Sequence, residues 1–507
     1  MNSLNLFLKG RPRNLLVSGD AYTISGNAIC SPESKKYSQY YFANRYTPKE
    51  VWPEVAKDSR MVLYGLSDFI RNNLTQPFTR EDVNEAACFM NQAHIGGGPL
   101  PFQRDLFDWC VDNNNGYLPI KIMSLPEAST FFPNEPVITV ENTVPGFGEI
   151  AAHIEALLVG YVSTATARVT RARHWLERII DWYKLDNSKT ESYLTAQWVI
   201  HDFGMRASSC GEESELLGKA HLLVFNGTDT FNAAYQAWRM GANKDSSKSI
   251  LALAHRIVQG FNTEDDCFNH LSSVSGIGSY VADCYNYKEA VIKLISLAKE
   301  NKDKIYVIRP DSGSHIENIN YTIRVLKEND MVGKNVRYLD GDSVNPVTMK
   351  ELIDECWKAG INPSEFFGTF GIGGDLRNHA LRDSLSSSYK LCCVGDNYRP
   401  VVKLSEVIGK MSVPGPNHLT RNRRNNYSVE YGHHISDSRK VFYNGTEHDL
   451  SKKFTECCYE DFSVLQYRCI KQFNEMSTMP VDFGTVHNTC LSPQILQIQQ
   501  EYKDEYR

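Results

Sequence analysis

The chain has 507 residues, 42% hydrophobic and 22% charged, the proportions of a soluble globular protein with two or three cores rather than one. Fifty-four basic against 60 acidic side chains leave a formal charge of −6, so no global positive field recruits nucleic acid or an anionic membrane. Thirteen cysteines without a CxxC or a Cys/His metal spacing, and an N-terminus (MNSLNLFLKGRPRN) whose apolar run is too short for a signal peptide, predict reduced thiols and a cytoplasmic protein.

Residues 1–150 mix Pro/Tyr-rich loops with short strands at 119–125 and 136–142, read as the N-terminal part of an α+β domain. A helical block is predicted over 147–184, where Ile154, Leu157, Leu158 and Tyr161 recur at helical spacing. His153 and Glu155 interrupt its most apolar stretch, 151–162, which is also too short to cross a bilayer. From 220 onward strands and helices alternate. Strands are predicted at 222–225, around Leu251, and at 278–282, 305–308, 336–339, 365–368 and 390–394. Between them, Ile316, Ile319, Ile323 and Leu326 line one helical face, and Met349, Ile353, Cys356 and Trp357 line another. Asn345 is the expected N-cap of that second helix, with Pro346 at its first position. Seven such units predict an α/β fold: an irregular (β/α) barrel over 151–395, with 396–507 packing back on the N-terminal part.

Three polar clusters follow strand-like runs and precede amphipathic helices: Arg309-Pro310-Asp311-Ser312-Gly313, Asp340-Gly341-Asp342 and Gly371-Ile372-Gly373-Gly374-Asp375. Parallel α/β folds use strand, turn and helix in this order to aim catalytic groups and bare amides into one mouth, so the pattern predicts an enzyme whose substrate carries phosphate. Arg309 and Asp311 can clamp a planar anion or π-system while serving a hydroxyl or metal ion; an internally bridged turn is the alternative. Gly373 and Gly374 fit a phosphate cradle or a tight turn, and Gly341-Asp342 a ribose diol or a structural turn. The run 201–206 puts Phe203 and Arg206 three residues apart, able to sandwich and charge-anchor a flat ring, with a core Phe and a surface Arg as the alternative, and Asn226–Thr230 aims Asp229 at the mouth. Lys390, Lys403, Lys410 and the Arg421/Arg423/Arg424 loop form a basic segment in an acidic protein. No GxxxxGK[ST], strand-linked GxGxxG or GxSxG is present, and His433-His434 reads as surface.

In this order the motifs HDFGxR, NGTDT, IRPDSG, the GD turn and FGxGGxL…RD resemble those of nicotinamide phosphoribosyltransferases. The similarity is strongest over 195–410 and touches 19–22, 118–127 and 137–145. The resemblance implies transfer from 5-phosphoribosyl-1-pyrophosphate to nicotinamide, with Mg²⁺, in a homodimer whose active sites lie at the subunit boundary. It places Phe203 on one face of the pyridine ring and Tyr22, from the partner, on the other. Asp229 would accept from the carboxamide, with Ser249 and Ser279 lining the same tunnel and Arg309 facing the amide oxygen and ring. Arg206 would meet the 5′-phosphate or ring edge. Asp283 and Asp311 would hold ribose hydroxyls or Mg²⁺–pyrophosphate, Gly341 and Asp342 the ribose, and Gly373 and Gly374 the 5′-phosphate. Arg382, Lys390, Lys403 and Lys410 would neutralise pyrophosphate. His255 falls where the family keeps a histidine phosphorylated by ATP, but Ala254 replaces the glutamate before it, which implies weaker ATP coupling with basal synthesis retained. The competing readings are a nicotinate phosphoribosyltransferase, whose acid substrate Asp229 would repel, and a catalytically silent binding protein on the same scaffold.

Overall fold

Seven short parallel strands follow one another in space in the order they follow in sequence. They are β1 (Ile200–Asp202), β2 (Gly227–Thr228), β3 (Leu251–Ala252), β4 (Ile277–Val281), β5 (Ile305–Arg309), β6 (Val336–Asp340) and β7 (Phe367–Ile372). β7 pairs back onto β1, and β2 meets the segment before β3 through a bridge between Gly227 and Lys248. The sheet is therefore an irregular barrel with one weak seam. The computed structural model describes residues 13–27, 29–405, 411–421, 427–433, 436–476 and 490–506.

Local chemistry sets the alternation. Eleven of the fifteen residues of β4 to β6 are buried, as strands covered on both faces require, while Ile277 and Ile305 at the strand starts are exposed. The helix Tyr287–Glu300 starts on the side chain of Asn286, His315–Glu328 on Ser314, and Pro346–Lys358 on Asn345, each accepting from first-turn amides. Ile319, Ile323 and Leu326, and Met349, Ile353 and Cys356, face inward as their spacing predicts. Ile316 does not; it is exposed at the start of its helix.

Three strand expectations need correction. The run 222–225 ends the helix Gly211–Leu222 and the turn after it; the helix is buried over most of its surface, so its last apolar residues mimic a core strand. The run 365–368 straddles a boundary, because Asn362 caps a helical turn at Pro363–Phe366 and β7 begins only at Phe367. Residues 390–394 do form a strand, Ser388–Val394, but it pairs antiparallel with Ser38–Ala43, outside the barrel.

That pairing belongs to a six-stranded sheet in the order Arg399–Pro400, Ser388–Val394, Ser38–Ala43, Ile138–Asn142, Ile120–Ser124, Lys440–Asn444. N-terminal and C-terminal segments thus build one sheet beside the barrel. The 28-residue helix Glu155–Trp182 packs against both bodies. Gly65 (φ +106°) lets the chain press on this helix, since a Cβ there would stand 2.8 Å from that of Ala165. No helix among the described residues is long and apolar enough to cross a membrane.

One buried acid makes stability depend on pH. Glu135 is 1% exposed; one carboxyl oxygen accepts from the Phe132 amide at 2.9 Å and the other has no partner. Burial pushes its pKa up to about 8. The unfolded chain loses this proton near pH 4.5 while the fold retains it, so stability falls as pH rises from 4.5 through 8. Glu135→Gln is expected to raise the melting temperature at pH 9, by a stabilisation on the order of 2–3 kcal/mol, and to change little at pH 5. Equal effects at the two pH values would refute this.

Candidate active site

The C-terminal ends of β1, β2 and β5 open onto a cavity of about 360 Å³ that runs through the barrel interior. His201, Phe203, Asp229, Ser249 and Arg309 line one end, Ser279 and Val307 the middle, and Trp198, Ile277, Ile305 and Phe367 the other. The walls are apolar with a few convergent polar groups, the composition of a site for a flat, weakly polar ring.

Asp229 is fixed from three sides. Its amide donates to the Asp202 carbonyl at 2.9 Å, and its Oδ1 accepts from His201 Nε2 at 3.0 Å and from the Ser249 hydroxyl. Burial alone would raise its pKa, but the His201 and Ser249 hydrogen bonds and the Arg309 charge outweigh it, so the carboxylate lies below the usual range and stays ionised. With Oδ1 doubly engaged, Oδ2 is the oxygen left to accept from a ligand.

Close approach of glycines shapes the aromatic wall. A Cβ on Gly371 would lie inside the Phe203 ring, 2.8 Å from Cζ, and one on Gly341 would stand 3.2 Å from Cε2. The His201 ring meets Phe203 edge-on at 5.4 Å, and Gly227 makes room for it, since a Cβ there would be 3.1 Å from the His201 Cγ. Arg309 donates to the Leu253 carbonyl at 2.6 Å, while its Nε and the Ser279 hydroxyl are buried without protein partners, which leaves both available to a ligand.

Beside the cavity, His255 stands between two carboxylates, with Nε2 3.2 Å from Asp283 and Nδ1 3.8 Å from Asp311. These two carboxylates belong to the loops that follow β4 and β5. Ser312 donates to the second Asp283 oxygen. Asp342 accepts from Ser343 at 3.2 Å. Gly373 and Gly374 lead into the short helix Gly374–Asn378, whose Asp375 takes the buried Arg171 at 2.5 Å. Arg377 from that helix is buried against Asp202 at 3.2 Å and locks it to β1. Asp283 and Asp311 are suitable hard-cation ligands, yet no group of three metal-ligating side chains converges among the described residues. Two carboxylates suit a Mg²⁺ that arrives on a diphosphate, not a preformed all-protein cage.

The remaining sequence candidates form a second group. Burial, with Lys403 and Arg45 beside it, pulls the Lys390 pKa down, and Glu155 opposes this. Arg382 adds to the same positive field and pairs with Asp383 at 2.6 Å. None of these cations lines the cavity, nor does Arg206 or Tyr22, both exposed. Lys410 and His434 lie outside the described residues. Two residues to which the sequence assigned no role belong with these groups. His201 sits inside HDFGxR two places before Phe203, where strand alternation puts both side chains on one face. Arg45 follows a strand, and no local signal separates it from a surface arginine.

The chain matches the Nicotinate phosphoribosyltransferase (NAPRTase) family over residues 198–440 and the nicotinamide phosphoribosyltransferase N-terminal domain over 14–122. A nicotinamide phosphoribosyltransferase of Xanthomonas campestris pv. campestris (strain 8004) is 26% identical over 401 residues, 75% of this chain and 81% of the relative. One from Acinetobacter baylyi is 24% identical over 410 residues, 70% of this chain and 77% of the relative. Among solved structures, human nicotinic acid phosphoribosyltransferase superposes with a TM-score of 0.60 at 12% identity, covering 95% of this chain and 99% of that one. Nicotinate-nucleotide pyrophosphorylase from Pyrococcus furiosus gives 0.58 at 14%, covering 92% and 97%. The likeness to these two structures shows a shared fold, an irregular seven-stranded barrel beside a second sheet. The chain is thus similar to nicotinamide phosphoribosyltransferases over most of its length, and its barrel region to the nicotinate phosphoribosyltransferase family.

Proposed function

We propose that the protein transfers the 5-phosphoribosyl group of 5-phosphoribosyl-1-pyrophosphate to nicotinamide, releasing pyrophosphate and forming nicotinamide mononucleotide for NAD salvage. The observation that carries the choice of base is Asp229: an ionised carboxylate with one oxygen free suits a primary amide donor and repels a carboxylate. Phe203 offers a face for the ring, and Arg309 and Ser279 offer buried donors for the amide oxygen.

The pyridine nitrogen attacks C1′ as the bond from C1′ to the diphosphate oxygen breaks, and the electron pair leaves with pyrophosphate. No proton need move, so holding the ring in line supplies much of the rate. Positive charge grows on the ribose, where Asp311 and Asp342 are suited to stabilise it. Gly341 would meet the ribose beside Asp342, and Gly373 and Gly374 the 5′-phosphate. Mg²⁺ held at Asp283 and Asp311 would supply charge neutralisation to the diphosphate. Arg206, Arg382, Lys390 and Lys403 are the cations for the phosphates, with Arg45 beside them.

That the basic group and exposed Tyr22 stand apart from the cavity supports a homodimer in which one subunit completes its partner's site. Phe231, Tyr235 and Trp238, exposed on the helix Phe231–Arg239 that starts beside Asp229, give a second copy an apolar face to cover. ATP coupling at His255 belongs to the same proposal, with the Asp283 and Asp311 carboxylates in place of the neighbouring glutamate.

The test is to incubate the protein with 5-phosphoribosyl-1-pyrophosphate, Mg²⁺ and either base, and to follow mononucleotide by chromatography. Product from nicotinamide is expected. Product from nicotinate alone would overturn the base assignment, and product from neither would favour a silent binding protein.

A further inference from the structure

Asp340 ends β6 and is 1% exposed, yet it is an acid. Both its oxygens lie 3.0 Å from Nδ1 of His315, the first residue of the helix His315–Glu328. A second donor is the Asp342 amide, and the Tyr338 hydroxyl stands 3.5 Å away. One buried carboxylate therefore ties together two neighbouring loops. The first, from Arg309 to Ser314, carries Asp311 and is held at its middle by Ser312 on Asp283 and by Asn318 on the Ser312 carbonyl at 3.0 Å. The second starts at Asp340 itself and carries Gly341 and Asp342.

The fold does not need this link. β5 and β6 are already paired from Tyr306 to Ile308, and Ile319, Ile323 and Leu326 bury the helix against the sheet. The pair acts only at the mouth, where the loops leave their strands. A buried carboxylate is costly unless its hydrogen bonds are met, so its partners are held firmly in place. We propose that His315 and Asp340 are positioning residues: a latch that sets the spacing of the Asp311 and Asp342 loops and thereby the affinity for the 5-phosphoribosyl donor, not for the base. The proposal rests on the reading of Asp311 and Asp342 as ribose contacts.

The experiment compares wild type, His315→Ala and His315→Asn by steady-state kinetics and by amide hydrogen exchange on the full chain. For His315→Ala, KM for 5-phosphoribosyl-1-pyrophosphate is expected to rise roughly tenfold with KM for nicotinamide unchanged, while the melting temperature falls because Asp340 loses a partner. Exchange should quicken at 311–314 and 341–344. Asparagine carries an N–H near the position of Nδ1 and should restore most of the loss. A donor KM that does not move, an equal rise in both KM values, or an asparagine variant no better than alanine would each overturn the latch. If wild type makes no mononucleotide from either base, the function fails separately. Exchange then decides alone: quickening confined to the two loops supports the latch, and unchanged exchange overturns it.

Discussion

Asp229→Ser is expected to remove most of the preference for amide over acid. In the wild type a nicotinate carboxylate would face an ionised group with one bare oxygen, while nicotinamide finds an acceptor for its N–H. Serine removes the charge and leaves a hydroxyl able to donate or accept. The nicotinamide-to-nicotinate ratio of kcat/KM should fall by about a hundredfold, the scale on which an unpaired buried polar or charged group discriminates. Much of the change should appear as lost activity on nicotinamide, because His201 and Ser249 lose their common acceptor and the ring loses an anchor. The measurement is kcat/KM for each base at saturating donor. A ratio that stays constant would show that base choice lies elsewhere in the cavity.

The barrel was legible in β4, β5 and β6. All three are runs of five residues with most side chains buried, each followed by a charged or glycine-containing turn, so hydrophobic runs and turn chemistry agree. β1 and β2 hold three residues and two, with His201, Asp202 and Thr228 among them, and no run of that length stands out from a loop. The run 222–225 misled for the opposite reason: a helix end buried all round looks like a strand. Once the barrel order is known, the meeting of Phe203, Asp229 and Arg309 follows, since each ends or follows a strand at the same rim. What sequence could not supply is cross-strand company. The carboxylates around His255 come from two later loops, and nothing beside it in sequence announces them. Likewise, nothing near Lys390 in sequence announces Arg45.

Gly371 offers a sharper test of the aromatic wall than Phe203 itself. Three ring atoms of Phe203 are the nearest neighbours that a Cβ at 371 would meet, with Cζ at 2.8 Å and the others closer. The overlap is with a side chain, not with backbone, so Gly371→Ala should leave β7 paired and push the ring out of its place beside the cavity. A displacement on the order of 1 Å at a positioning residue can cost about a hundredfold in kcat/KM. Phe203→Leu removes the wall directly and should cost a similar factor, because the base loses its stacking face. In the double variant the alanine methyl has no ring to displace, so the two losses should not multiply: the pair should be nearly as active as Phe203→Leu alone. Such strong non-additivity is the signature of two residues acting through one ring. Fully multiplicative losses, measured as kcat/KM for nicotinamide with melting temperatures in parallel, would mean that the glycine serves the strand and not the wall.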